Sequence, residues 1–333
     1  MKKVILHSYQ LGSRGTEICL YKYAKYLREF LNIDPIILST NSRPTPTLER
    51  FQKEFKTFLY DAVWVPDGRN YEIKNCFNKI IEKENVDFLY AIKGGEDDGI
   101  LKDLSCKTGA HAIFRMDQPH GTVYAGVCKY ISDKHGGQFP WVDHIIDYEK
   151  LDEKDNFREA LNIPKNALVG FRHGGNETFN LNFVYEPIQK ALEKRDDLWF
   201  IFLNTNKFIE HPRVIFLPWS GDLDYILKFV NTGDFFMHAR YDGEIFPLTC
   251  AEASTQNKPI VTWNPDAVPS HYDTGHIALL KDKGIYYKDG ESLYNILVNL
   301  DRNDIIQKNW NVYGDDYSPK NVINQFQNIF LKW

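Results

Sequence analysis

Residues 238–261 read HARYDGEIFPLTCAEASTQNKPIV and hold two glutamates, Glu244 and Glu252, with seven residues between them. The apolar run ahead of them, FFMHA, has the length of a buried strand, and LTCAEAST has that of a short helix whose first turn lies near Pro247. Proline suits a first helical position, because the N–H it lacks would have no intrahelical partner there. Glu244 then sits on the loop ahead of a helix N-terminus, and Glu252 follows about one and a half turns into the helix. Free backbone N–H groups at such an end favour an anion, while carboxylates accept from hydroxyls. The pattern fits a hydroxyl-rich ligand carrying phosphate, and it also fits two glutamates that cap and solubilise a surface helix.

Outward from this stretch, strand-like and helical patterns alternate. VILHSY, DPIILST, DAVWVP, VDFLYAIK and AHAIFRM read as strands of the first half, with helical spacing in TEICLYKYAKYLREFL and YEIKNCFNKIIEKEN. The second half gives ALVGFRH, LWFIFLN, VIFLP, DFFMHA and KPIVTW as strands, and NFVYEPIQKALEKR, GDLDYILKFVNT and LTCAEAST as helices. Such alternation predicts parallel α/β sheets of Rossmann type. The 333 residues suffice for two domains, each of about 150 residues and able to bury its own core. The boundary is expected in the charged stretch 145–165, ahead of the turn at Pro164. A last helix is expected to open at Ser318 and Pro319.

Composition narrows the function classes. With 43% hydrophobic and 26% charged residues the chain reads as soluble and globular. A net charge of -5 without a long basic run argues against nucleic acid as partner. Cys19, Cys76, Cys106, Cys128 and Cys250 are scattered with no CxxC pair, which favours reduced thiols. No apolar run reaches the roughly 18 to 20 residues of a membrane span, and the run behind Lys2 and Lys3 is too short for a signal peptide and reads as a strand. A cytoplasmic protein is expected, with peripheral contact to a membrane left open.

The stretch GEIFPLTCAEASTQNKPIV resembles the E-x7-E signature of the family 4-like glycosyltransferases of GT-B architecture, with Glu244, Phe246, Leu248, Glu252, Ala253 and Pro259 in register. Pro247 and Asn257 stand where that family has glycines. The segment FREALNIPKNALV is similar to the family's interdomain joint, and Gly15, Thr16 and Glu17 match its G-G-x-E segment, with Arg14 in place of the first glycine. The resemblance implies two Rossmann-like domains facing across a cleft. Residues 1–150 would form the acceptor side, 151–316 the nucleotide-sugar donor side, and 317–333 a helix crossing back to the first domain.

It further implies a retaining transfer of sugar from a nucleotide-diphosphate donor to a glycan or other hydroxyl acceptor. Glu244 would hold donor-sugar hydroxyls and Glu252 the ribose. Arg172, followed by His173, Gly174 and Gly175, stands where the family places an arginine on the diphosphate, although Thr178 replaces the lysine expected six residues later. His120 would face the donor sugar; His111 competes for that place but reads as strand-edge. Gly15, Thr16, Asn204, Arg240, Asp242, Phe246 and Leu248 complete the expected donor set, with Thr205 beside them, and backbone near Leu217 and Pro218 is expected at the base. Asp222 and Asp224 form a D-x-D, but at a helix start, where N-capping is the better account. No His/Cys set has metal-ligand spacing, so no metal or other cofactor is expected. Two further readings remain: a nucleotide-sugar epimerase of the same fold, and a catalytically silent nucleotide-sugar binding or scaffolding protein.

Overall fold

The structure, a computed structural model, describes residues 2–12, 14–41, 43–61 and 71–332. Two compact units divide it, Met1–Asp147 with Asp315–Trp333, and Tyr148–Gly314.

The first unit is built on β1 (Val4–His7), β2 (Ile36–Thr40), β3 (Thr57–Tyr60), β4 (Phe88–Lys93), β5 (Lys107–Ala112) and β6 (Val123–Gly126), all paired in parallel in the order β3-β2-β1-β4-β5-β6. The second repeats the plan. Here β7 (Leu168–Arg172), β8 (Leu198–Leu203), β9 (Val214–Leu217), β10 (Phe235–His238), β12 (Ile260–Trp263) and β14 (Gly284–Tyr287) run in the order β14-β12-β10-β7-β8-β9, and the two-residue strands β11 (Gly243–Glu244) and β13 (Asp273–Thr274) pair beside them. Both units are therefore Rossmann-like sheets in which the strand order reverses once, between β1 and β4 and between β7 and β10. Ligands of such sheets bind outside the carboxyl ends of the strands at that reversal.

Parallel strands with helices on both faces need apolar side chains on both, and the second sheet divides its aromatics accordingly. Leu168, Phe200, Phe202, Phe235 and Met237 enter one core, while Val169, Phe171, Ile201, Leu203 and Phe236 enter the other. In the first unit the helix Pro319–Phe326, opened by Ser318 and Pro319, packs on the helix Gly15–Leu31. Phe326 meets Tyr23 at 5.4 Å between ring centroids, and Phe330, on the π-helical turn Gln327–Leu331, meets Tyr90 at 5.2 Å.

The strand reading shifts at AHAIFRM and at His111. AHAIFRM overlaps the fifth strand only at Ala110–Ala112: β5 runs Lys107–Ala112, its six residues pairing in register with Phe88–Lys93. His111 accordingly lies inside the strand rather than opening it. It is buried and takes structural partners, with Nδ1 against the Tyr90 hydroxyl at 2.6 Å and Nε2 against the Gly126 and Val142 carbonyls, both at 3.0 Å. DAVWVP beyond Asp61 lies outside the described residues, and β3 forms from the TFLY run before it. Among the described residues no helix is long and apolar enough to cross a membrane.

Candidate functional site

At the reversal point of the second sheet, Arg172 ends β7 and is 3% exposed. Among the described residues its guanidinium donates only to neutral oxygens. Nη1 reaches the Asn204 carbonyl at 3.1 Å and Thr205 Oγ1 at 2.6 Å, and Nη2 reaches the Gly175 carbonyl at 2.6 Å and Thr178 Oγ1. Burial lowers its pKa to about 10, with Glu244 opposing the shift and Arg240 adding to it. Asn204, in a left-handed turn, uses its amide Nδ2 to hold the Gly174 carbonyl at 2.8 Å. The carbonyls of Gly174 and Gly175 are thus pinned inward. Across a planar trans peptide N–H and C=O point oppositely, so the N–H groups of Gly175 and Asn176 turn outward, and among the described residues neither has a protein acceptor. Thr178, where a lysine was expected, is one of the pins.

The paired strand β11 presents Glu244. Gly243 sits at φ +65, and a Cβ on it would lie 2.0 Å from the Asp273 carbonyl oxygen, so only glycine lets β11 close on β13. Gly243→Ala is expected to lower stability by at least about 1 kcal/mol, the cost of a left-handed residue, with further loss as β11 and β13 separate; urea unfolding checks this. Glu244 is half-buried and pairs with Arg240, Nη1 to Oε1 2.7 Å. Burial raises its pKa against the opposing charges of Arg240 and Arg172. Arg240 Nε is enclosed without a partner among the described residues. Asp242 is exposed and its carbonyl accepts from the Asp273 N–H at 2.8 Å.

The helix runs Leu248–Thr255 with Pro247 one residue ahead of its first turn, as its N-cap, and no side chain caps it. Proline was expected inside the helix; its extended ψ of 97 places it outside. Phe246 and Leu248 are half-buried at this end, whereas Cys250, Ala251, Glu252, Ala253 and Ser254 are all buried. Glu252 therefore faces protein: Oε1 accepts from the Tyr148 hydroxyl at 3.1 Å, and Oε2 lies 3.0 Å from His173 Nε2, out of line for a hydrogen bond. Tyr148 was not singled out from sequence, and His173 only as the neighbour of Arg172. The HGG triplet after a strand was the available signal.

The structure thus brings Arg172, Asn204, Arg240, Asp242, Glu244, Phe246, Leu248 and Glu252 to one unit. Gly15, Thr16 and His120 lie in the other. Gly15 and Thr16 open the helix Gly15–Leu31, where the Arg14 N–H donates to Glu17 at 3.1 Å. Burial raises the Glu17 carboxyl to about 6. His120 lies between β5 and β6, with Nδ1 2.7 Å from the Gln118 carbonyl and Nε2 enclosed without a partner among the described residues; burial lowers its pKa. Asp222 caps the helix Leu223–Thr232, accepting from the Asp224 N–H at 2.9 Å. Among the described residues no three His, Cys, Asp or Glu side chains gather as a metal-binding group.

No known protein family and no curated protein sequence matches the chain. Solved structures do. A glycosyltransferase from Rickettsia africae is 15% identical, with TM-score 0.71, over 99% of this chain and 96% of its own. Anabaena Alr3699/HepE in complex with UDP and glucose is 15% identical, with TM-score 0.65 and the same coverage. A structure described as a UDP-N-acetylglucosamine 2-epimerase from Listeria monocytogenes is 14% identical, with TM-score 0.63, over 99% and 96%. The two Rossmann-like sheets of this chain are those of the GT-B fold.

Proposed function

We propose that this protein is a glycosyltransferase that moves a sugar from a nucleotide-diphosphate donor to an acceptor hydroxyl, with retention of configuration. The observation that carries the reading is the buried Arg172 guanidinium, answered among the described residues only by neutral oxygens, beside the outward N–H groups of Gly175 and Asn176. A buried cation whose hydrogen bonds go to neutral oxygens, next to a backbone nest, is suited to an anion. A half-buried carboxylate beside it asks for hydroxyls. A sugar diphosphate offers both.

In this reading the second unit binds the donor and the first the acceptor. The diphosphate lies over the Gly174–Gly175 loop and the N-terminal turn of the helix Leu248–Thr255. Glu244, held by Arg240, accepts from donor-sugar hydroxyls. Glu252, steadied by Tyr148, takes a ribose hydroxyl. As the bond from the anomeric carbon to the diphosphate oxygen breaks, charge gathers on the leaving group. The loop amides and Arg172 stabilise it there without reorganising, a preorganised effect typically worth about a hundredfold or more in rate per donor. Charge at Arg172 acts mainly through its field, since its Nη protons hold the loop. The nucleotide sugar is a co-substrate, and the reading calls for no metal.

A ligand that binds only the folded protein raises its melting temperature by mass action. Among UDP-, GDP-, ADP-, dTDP- and CMP-linked sugars, one nucleotide class is expected to stabilise the wild type, by about 2.7 kcal/mol at a hundred times Kd, and Glu252→Ala far less. Well-folded protein unmoved by every donor would remove the reading. The Listeria neighbour supports a second reading, an epimerase. Conversion of the donor to an isomer with no acceptor present would favour it.

A further inference from the structure

The reversal point of the first sheet holds a second polar cluster. Lys93 ends β4 with its side chain 2% exposed, and its Nζ lies 2.6 Å from Oδ1 of Asp98, which is 28% exposed. Tyr9, two residues past β1, donates its hydroxyl to the other oxygen of that carboxylate. His7, wholly buried at the end of β1, has Nε2 2.8 Å from the Tyr60 hydroxyl and, among the described residues, no partner at Nδ1. The same Lys93 and Asp98 charges act on it from the adjacent strand and loop.

The loop that delivers Asp98 reads KGGEDDG. Gly95 sits at φ +120 with a Cβ position 1.9 Å from the Arg115 carbonyl oxygen, so backbone lies directly on backbone there. Phe114 N–H donates to the Gly94 carbonyl at 2.9 Å. This close packing leaves Phe114 61% and Tyr9 37% exposed at the same edge. An ion pair that buries an ammonium roughly breaks even in stability. Its yield here is a fixed carboxylate at the surface.

The charge around it is net negative. Glu96, Asp97, Asp98 and Asp117 face Lys93 and Arg115, and Arg115 is held by Asp117 and Glu96. The Arg14 charge acts on the Glu17 carboxyl of the same unit. Carboxylates accept from sugar hydroxyls and repel anions. The weakly positive C–H faces of a sugar ring rest against the negative faces of aromatic rings such as Tyr9 and Phe114.

We propose that Asp98, fixed by Lys93 and Tyr9, selects the acceptor: it admits an uncharged, polyhydroxylated sugar and rejects one bearing phosphate. The inference rests on the transferase reading and adds its acceptor class. The probes are methyl hexosides and their 6-phosphates, with binding read by saturation-transfer NMR and transfer read by nucleotide release with the donor the protein binds. A neutral hexoside is expected to bind and accept at least about tenfold better than its phosphate. Asp98→Asn is expected to raise the acceptor KM about tenfold while the donor KM stays put. Tyr9→Phe, which leaves the buried ammonium paired and so guards against misfolding, is expected to move the acceptor KM in the same direction. Preference for the phosphate, or unchanged acceptor KM in both variants, overturns the inference while leaving the transferase reading intact. Donor binding with no transfer to any acceptor overturns the transferase reading and the inference with it.

Discussion

Glu244→Ala is expected to lower the rate of transfer by about a hundred- to a thousandfold, the usual loss when one preorganised polar contact at a reacting centre is removed. The carboxylate is the half-buried partner of Arg240, at 2.7 Å, and it interacts with the charge of Arg172. Removing it strips the hydroxyl acceptor from the site and leaves the Arg240 guanidinium, whose Nε already lacks a partner among the described residues, without its counter-charge. Because the side chain is 22% exposed and the pair is local, the fold should lose only about 1 kcal/mol. Rates of nucleotide release beside a melting curve separate the two effects. Full activity in the variant would dismiss Glu244 from the site.

Asp234→Ala is expected to be the most destabilising single change, costing about 3–5 kcal/mol, the price of breaking a buried charge pair from one side. The side chain is 6% exposed. Oδ2 accepts from Arg158 Nη2 at 2.6 Å and from the Val169 N–H at 2.8 Å, and Oδ1 accepts from Arg302 Nε at 3.0 Å. One carboxylate therefore ties β7 to the segment before it and to the helix Arg302–Gln307. The loss corresponds to a melting temperature lower by about 10 °C for a unit of this size. A shift within 1 °C would show that the network does not hold the unit together.

The alternation of strands and helices made the α/β class legible, because parallel strands buried on both faces must read as apolar runs such as LWFIFL. Strand ends were less legible. Nothing local in AHAIFRM says that its last four residues leave the sheet. That follows from six-residue pairing with β4 and from Gly95 pressing on Arg115, contacts distant in sequence. VYAG, which forms β6, is too short to stand out without its neighbour β5.

In the candidate site, the spacing of Glu244 and Glu252 could be read, but not the burial of Glu252. LTCAEAST is made of small residues with no polar face, so its surroundings decide which side meets protein. The loop after β7 was visible as glycines. Its amides are aimed by Arg172 and Asn204 acting on carbonyls, and backbone groups leave no mark on residue identity. The KGGEDDG loop offered the same glycine signal after a strand, yet its lysine and aspartate look like ordinary surface charges until their burial is known.

The return of the helix Pro319–Phe326 to the first unit sets an order in time. Its Phe326, with Phe330 on the next turn, lines the core beside Tyr23 and Tyr90, so that core stays incomplete while the ribosome makes the intervening residues. At bacterial-to-eukaryotic elongation rates the wait is about ten to thirty seconds. The second unit is continuous in the chain and can close first, so the half begun earliest is finished last, exposing an open aromatic core to chaperones meanwhile.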